Sequence, residues 1–208
     1  MSEYTEESVR AELRAWLEEN WDPGLSLLEW RNILVDSGWG MPQWPKEWFG
    51  RDLPVGFMRV VDEEFKRVDA ITVARKGATT LAGSTLLAHG SDMLREKFLR
   101  RSLTGEDSWC QLFSEPGSGS DLASLKTKAE DKGEKYLING QKVWTSYADE
   151  CDMIFTLVRT GPLEPKHEGI SFLLIDMDQE GVTTKPIKLI SGKSPFCETF
   201  FDNATAPK

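Results

Sequence analysis

The sequence predicts an α+β chain in which an N-terminal helical bundle is followed by an antiparallel β-barrel or sandwich. Apolar residues recur at helical spacing from Val9 to Leu99, and after Ser108 short strand-like runs crowd between Gly and Pro turns. The change from one pattern to the other is abrupt. It divides the chain into a helical domain over residues 1–108 and a β domain over residues 109–208, together long enough for a sizeable core.

In the first half, Val9, Leu13, Trp16 and Leu17 stand at i, i+4, i+7 and i+8, one face of a helix. Acidic residues open it, as the positive end of the helix dipole favours. Ser26-Leu-Leu-Glu29 has the form of a capping box, and the helix it starts is expected to stop at Gly38. A loop rich in Trp and Pro follows, over 38–52. Pro54 stands where a first helical residue belongs, and Phe57, Met58, Val61, Phe65 and Val68 continue at helical spacing. Residues 72–88 are small and apolar (Ala74, Ala78, Ala82, Ala88), a surface suited to close helix packing, with Gly90 as the stop. Ser91 caps one more helix, carrying Leu94, Phe98 and Leu99. Six of the eight tryptophans lie before residue 49 and are read as packing.

In the second half, Trp109 to Phe113 reads as a buried strand entering a loop at Ser-Glu-Pro-Gly. Lys135 to Trp144 reads as two strand-like runs around Asn139-Gly140, a strong hairpin signal. Residues 153–159, 170–177, 182–190 and 196–202 supply four more strands.

Composition narrows the function. Lys plus Arg is 25 and Asp plus Glu 34, a net charge of −9, which is a poor basis for binding nucleic acid. No apolar run approaches the roughly 20 residues that cross a bilayer. The acidic N-terminus does not resemble a signal or transit peptide, so a cytoplasmic protein is expected. Three cysteines with no CxxC argue against a disulfide framework. The two histidines, outside any zinc-binding pattern, argue against a metal site. No GxSxG elbow supports a serine hydrolase.

The segment Gln111-Leu-Phe-Ser-Glu-Pro-Gly-Ser-Gly-Ser-Asp121 is the candidate for chemistry. Gly permits backbone angles closed to other residues, so such a loop can aim several N–H groups and hydroxyls at one anion, pyrophosphate above all. On composition alone a flexible surface turn explains it equally well. The flanking strands favour a ligand, because Trp144-Thr-Ser146 at a strand end suits a planar aromatic group.

Trp109 to Asp121, followed by Asn139-Gly-Gln-Lys-Val-Trp-Thr-Ser146, resembles the paired flavin motifs of the acyl-CoA dehydrogenases. Leu86-Leu-Ala-His-Gly90, Gly169-Ile-Ser-Phe-Leu-Leu-Ile175 and Phe201-Asp-Asn-Ala-Thr-Ala-Pro207 extend the resemblance along the chain. It implies FAD as cofactor and α,β-dehydrogenation of an acyl-CoA thioester, in which a carboxylate takes the α proton as the β hydride passes to the flavin. By position, the backbone of Gln111, Phe113 and Ser114 is implied to address the pyrimidine side of the ring. Gly117 and Gly119 let the pyrophosphate approach, and Ser120 reaches both pyrophosphate and acyl-CoA. Trp144, Thr145 and Ser146 lie against the isoalloxazine. The family's C-terminal helical domain, with its catalytic glutamate, is expected beyond Lys208, and the β domain is expected to be incomplete at its end. No catalytic base is therefore assigned in this chain. Glu115, before Pro116, is read as fixing loop geometry.

Three functions compete: an enzyme portion of acyl-CoA dehydrogenase type; a non-catalytic flavin-binding or assembly subunit completed by a helical partner; and a flavin monooxygenase or oxidase of the same superfamily. Implied partners are the acyl-CoA substrate, an electron-transfer flavoprotein, and either further copies of the chain or a helical subunit. Lys166 and His167, in the polar loop 160–168, are read as solvated charge. Ser118, where the family more often has alanine, is read as a mild change.

Overall fold

Helices form in the first half where the sequence supplies both a cap and an apolar face. In the computed structural model, which describes residues 4–73 and 77–208, α1 spans Glu6–Asn20 and buries Val9, Leu13 and Leu17. Thr5 caps it by accepting the Ser8 N–H at 3.1 Å. α2 spans Leu27–Asp36. Its expected capping box is present: the Ser26 N–H donates to Glu29 Oε2 at 3.0 Å and the Glu29 N–H to Ser26 Oγ at 3.3 Å. The helix ends where expected, at Gly38, whose φ is +80° and whose missing Cβ would meet the Gly50 carbonyl oxygen at 2.5 Å. α3 covers Met58–Arg67, α4 Ala78–His89 and α5 Asp92–Thr104. Pro54 precedes a single 3₁₀ turn, Val55–Phe57, rather than opening α3 itself. The expected helix over 72–88 is shorter at its start: Thr72 and Val73 are not helical, and Ala74 lies outside the described residues. The tryptophans do pack, with the Trp21 and Trp30 rings 4.6 Å apart and Trp16 5.6 Å from Trp30.

One polar residue in this helical part is deeply buried and was not flagged by the sequence. Glu64 of α3 is 1% exposed. Its carboxylate accepts from Arg10 at 2.6 Å, from Arg14 at 2.7 and 3.0 Å, and from Arg67 at 2.9 Å.

The chain divides into two units, Met1–Glu106 and Asp107–Lys208. The second unit is β-rich, with strands β1 (Trp109–Leu112), β2 (Lys128–Asp131), β3 (Lys135–Ser146), β4 (Met153–Arg159), β5 (Ile170–Asp176), β6 (Val182–Pro186) and β7 (Phe196–Pro207). They form one seven-stranded sheet in the order β1-β4-β2-β3-β7-β6, with β5 on β4. Most pairs are antiparallel, as expected, but β1–β4 is parallel and β2 meets β4 in parallel. A parallel pair requires a long crossover, and the loop after β1 together with β2 and β3 provides one. The core under the sheet is built from Cys110, Leu112, Ile138, Ile154, Ile175 and Cys197, with smaller residues between them.

Three strand expectations are corrected. Asn139-Gly140 is not a hairpin turn: β3 runs through it without reversing. Residues 136–139 pair with β2 while the whole length of β3 pairs with β7, so the two runs never need each other as partners. The reversal lies earlier, around Gly133, whose φ is +94° and whose N–H donates to Asp131 Oδ1 at 2.8 Å. Gly140 instead serves a close approach, because a Cβ there would lie 2.7 Å from the Thr127 Cα at a φ of +151°. Asn139 accepts the Asn203 N–H at 2.9 Å, opposite a register shift in β7. Second, the strand expected over 182–190 stops at Pro186, and Ile190 stands fully exposed in the following loop. Third, β2 was missed. Lys-Ala-Glu-Asp buries only Ala129, so its apolar signal is a single residue.

Candidate functional site

The two segments singled out by the sequence lie side by side. β1 delivers Gln111 and ends at Leu112, whose carbonyl accepts the buried Thr156 hydroxyl at 2.6 Å. The chain then leaves the sheet through Phe113, Ser114 and Glu115. The Val143 N–H of β3 donates to the Ser114 carbonyl at 2.9 Å, and Lys142 Nζ donates to the Phe113 carbonyl at 3.0 Å. Phe113 packs edge-on against Phe155, ring centroids 5.8 Å apart.

Lys142 is the residue that sequence reasoning missed. It is fully buried, and its three ammonium hydrogens reach the Phe113 carbonyl, the Leu157 carbonyl at 2.7 Å and Glu115 Oε1 at 2.9 Å. A signal existed: Ile138, Gly140 and Lys142 share one face of β3, and Ile138 marks that face as inward. A lysine on an inward face must be paired.

Glu115 does fix the loop, as expected. Besides Lys142 it accepts the Lys126 N–H at 2.7 Å and the Thr127 N–H at 2.9 Å. Burial pushes its carboxyl up, but these hydrogen bonds together outweigh burial and hold it below the usual carboxylate value. Burial likewise pulls the Lys142 ammonium down, and Glu115 opposes this. After Glu115 the chain makes a tight turn in which Glu115 and Ser118 exchange N–H···O bonds at 2.8 and 3.1 Å.

The glycines of the loop play a different part from the one expected. Neither Gly117 nor Gly119 has a positive φ, so neither is needed for a conformation closed to other residues. Each would carry a Cβ into open space, which leaves the backbone approachable. Ser118 is more than a mild change. It is buried, and its hydroxyl donates to the Asp121 carbonyl at 2.9 Å. Ser120 is exposed. Lys166 is not simply solvated either, since Nζ donates to Asp121 Oδ2 and Ser124 Oγ, both at 3.0 Å. The Ser124 hydroxyl, followed by Lys166, holds the Asp121 carboxyl below its usual value. Arg159, 6% exposed, fastens the same region from within through the carbonyls of Ala123 (2.6 Å) and Lys166 (2.7 Å).

On the β3 side, a register shift against β7 between Lys142 and Thr145 inserts an extra residue, and Trp144 takes a φ of +64°. The indole is turned out, 57% exposed, with its edge 6.2 Å from the Phe196 ring centroid. Ser146 is exposed too. Thr145 points the other way: it is 1% exposed, with a hydroxyl that finds no partner. The structure thus brings Phe113, Ser114, Trp144 and Ser146 into one neighbourhood and turns the Thr145 side chain from it. Among the described residues there is no cluster of metal-ligating side chains and no helix long and apolar enough to cross a membrane.

Residues 1–106 match the family description "Acyl-CoA dehydrogenase, N-terminal domain", and residues 110–204 match "Acyl-CoA dehydrogenase, middle domain". The chain is 38% identical over 215 aligned residues to the acyl-CoA dehydrogenase IpdE1 of Mycobacterium tuberculosis, covering 95% of this chain and 56% of that protein. Its fold is similar to the ChsE4-ChsE5 complex from Mycobacterium tuberculosis, with a TM-score of 0.69 at 30% identity over 100% of this chain and 56% of the other. The Tcur3481-Tcur3483 steroid ACAD gives the same TM-score, 0.69, and 30% identity, with 100% of this chain and 57% of the other covered. The chain therefore spans a little over half the length of these relatives.

Proposed function

Because the chain belongs to the acyl-CoA dehydrogenase family, we propose that its β unit forms the face that binds FAD and an acyl-CoA thioester for α,β-dehydrogenation. The observation that carries this reading is the Val143–Ser114 hydrogen bond, which sets the loop entry against the strand bearing Trp144. FAD, when bound, supplies the acceptor for the hydride leaving the acyl β-carbon.

The residues fit such a group. The carbonyls of Phe113 and Ser114 are engaged by Lys142 and Val143, so these two residues offer a ligand their N–H donors. Donors suit the carbonyl-rich pyrimidine side of an isoalloxazine; Gln111 adds its backbone at the end of β1. The exposed Trp144 indole covers the ring plane, and the Ser146 hydroxyl reaches its edge. Thr145 contributes through its backbone, its side chain being buried. Gly117 and Gly119 leave the loop open to the pyrophosphate, and Ser120 offers its hydroxyl to the pyrophosphate and to acyl-CoA. Glu115 and Asp121 are both committed to partners in the loop, so the base that takes the α proton lies outside this set.

The relatives described as two-protein assemblies, one of them a steroid enzyme, favour a bulky acyl-CoA and a partner chain that completes the site. An electron-transfer flavoprotein is the proposed acceptor of the electrons. The test is to titrate the purified chain, alone and with a co-purified partner, with FAD and read flavin absorbance and stoichiometry. Bound flavin near one per chain is expected; absence of flavin in both preparations overturns the reading. Trp144→Ala is expected to weaken FAD binding about 3- to 10-fold, the value of one aromatic contact, and unchanged affinity with an unchanged spectrum removes the ring-covering role. Ser120→Ala is expected to weaken FAD or acyl-CoA about fivefold by loss of one hydrogen bond; equal dissociation constants for both ligands remove it from the site.

A further inference from the structure

The β unit holds three thiols that the proposed function does not use. Cys110, second residue of β1, is 1% exposed and belongs to the core between β1 and β4. Cys151 is half-buried in the segment entering β4 and packs against the same core. The backbone around them is closely tied. The Ser108 N–H and hydroxyl both donate to Asp152 Oδ2, at 2.8 and 2.6 Å, and the Asp152 N–H returns to Ser108 Oγ at 3.0 Å. The Met153 N–H adds a bond to the Ser108 carbonyl at 2.9 Å. This clasp brings residues 151–153 against residues 108–110.

The two sulfurs are in contact, and the contact is asymmetric. The Cys110 thiol donates to the Cys151 sulfur, and this hydrogen bond, with burial, pushes Cys110 above the thiol range. The same bond, helped by Ser108 and opposed by burial, pulls Cys151 below its ordinary value. Cys197 sits in the same core but is engaged elsewhere, its thiol donating to Asp149 Oδ1 at 3.3 Å.

We propose that Cys110 and Cys151 form a peroxide-responsive dithiol that closes reversibly into a disulfide. Cys151, the partly exposed partner, is the attacking sulfur. Its thiolate displaces one oxygen of hydrogen peroxide, the O–O bond breaks, and a sulfenic acid and one water result. The Cys110 sulfur then attacks the sulfenic sulfur, the S–O bond breaks, a second water leaves, and the S–S bond forms. Two thiols are oxidised and one peroxide is reduced to two waters. Cys110 immediately precedes Gln111, and Cys151 follows Ser146 by five residues. The bond thus links the start of one proposed flavin-contacting segment to the end of the other.

The test treats the full chain with hydrogen peroxide and maps its cysteines by alkylation and peptide mass, with no flavin or substrate needed. The expected result is a loss of about 2 Da, a linked pair of peptides containing Cys110 and Cys151, an alkylatable Cys197, and full reversal by a dithiol reductant. Cys197→Ser is expected to leave the linkage intact. Cys110→Ser is expected to stop at a sulfenic acid on Cys151 that a dimedone-type reagent traps. A link that includes Cys197, or Cys151 carried to a sulfinic acid while Cys110 remains a free thiol, overturns the proposal. Both of those outcomes are read on the unmutated chain, so a variant that fails to fold does not blunt the test. Failure of flavin binding leaves the thiol result unaffected, and the two readings are judged separately.

Discussion

Lys142→Met is expected to destabilise the β unit by about 3–5 kcal/mol, the usual consequence of removing one member of a buried ion pair. Methionine fills a similar volume, so the effect isolates the ammonium. Its loss leaves the Glu115 carboxylate buried with only the Lys126 and Thr127 N–H groups as direct partners, and strips the Phe113 and Leu157 carbonyls of a donor. Amide hydrogen exchange over β1, β3 and β4 measures it locally. Adding Glu115→Gln should return part of the loss, because no uncompensated charge is then buried; a double-mutant cycle reads that coupling. A single variant within about 0.5 kcal/mol of the parent chain shows that Lys142 is not the node described.

Acid is expected to weaken the helical unit through Glu64. Its folded carboxyl titrates at about 2 against an ordinary 4.5: the Arg14 hydrogen bond lowers it most, burial opposes, and Arg10 and Arg67 lower it further. A depressed carboxylate stabilises the fold above its unfolded value and loses that contribution as pH falls through the folded one. The window therefore runs from about 4.5 down to about 2. Its size is about 2–3 kcal/mol once solvent around the guanidinium groups is allowed for. Glu64→Gln should lower stability at pH 7 by a comparable amount and flatten the slope across that window. Tryptophan fluorescence follows this unit preferentially, since six of the eight indoles precede residue 49. Parallel pH profiles for variant and parent rule out Glu64 as the source.

These two residues also mark where sequence reading stopped. Elements announced by local chemistry were legible: the Ser26/Glu29 box, the Ser91 cap, the aromatic run that became β1. So was the pairing of the Ser-Glu-Pro-Gly entry with the Trp-bearing strand, because both motifs are long and ordered. What failed depended on partners distant in the chain. Asn139-Gly140 has the chemistry of a reversal, yet β2 and β7 already occupy both edges of the strand through it. Glu64 on a helix and Lys142 on a strand look like surface charge until Arg10, Arg14 and Glu115 arrive from elsewhere. Gly117 and Gly119 were read correctly as an opening and wrongly as a strained bend, since residue type cannot distinguish missing bulk from an unusual dihedral.

The register shift beside Trp144 has a consequence for how this segment tolerates change. Along an unbroken strand the inward Lys142 would be followed by inward residues at 144 and 146; the supernumerary residue sends Thr145 inward instead and frees its neighbours. Sidedness here is a parity, written in a count of residues and not in their identity. Point substitutions therefore tune what the indole end of β3 offers. An in-frame loss of a single codon between 142 and 145 would invert it, hiding the ring and the Ser146 hydroxyl while leaving the composition almost untouched.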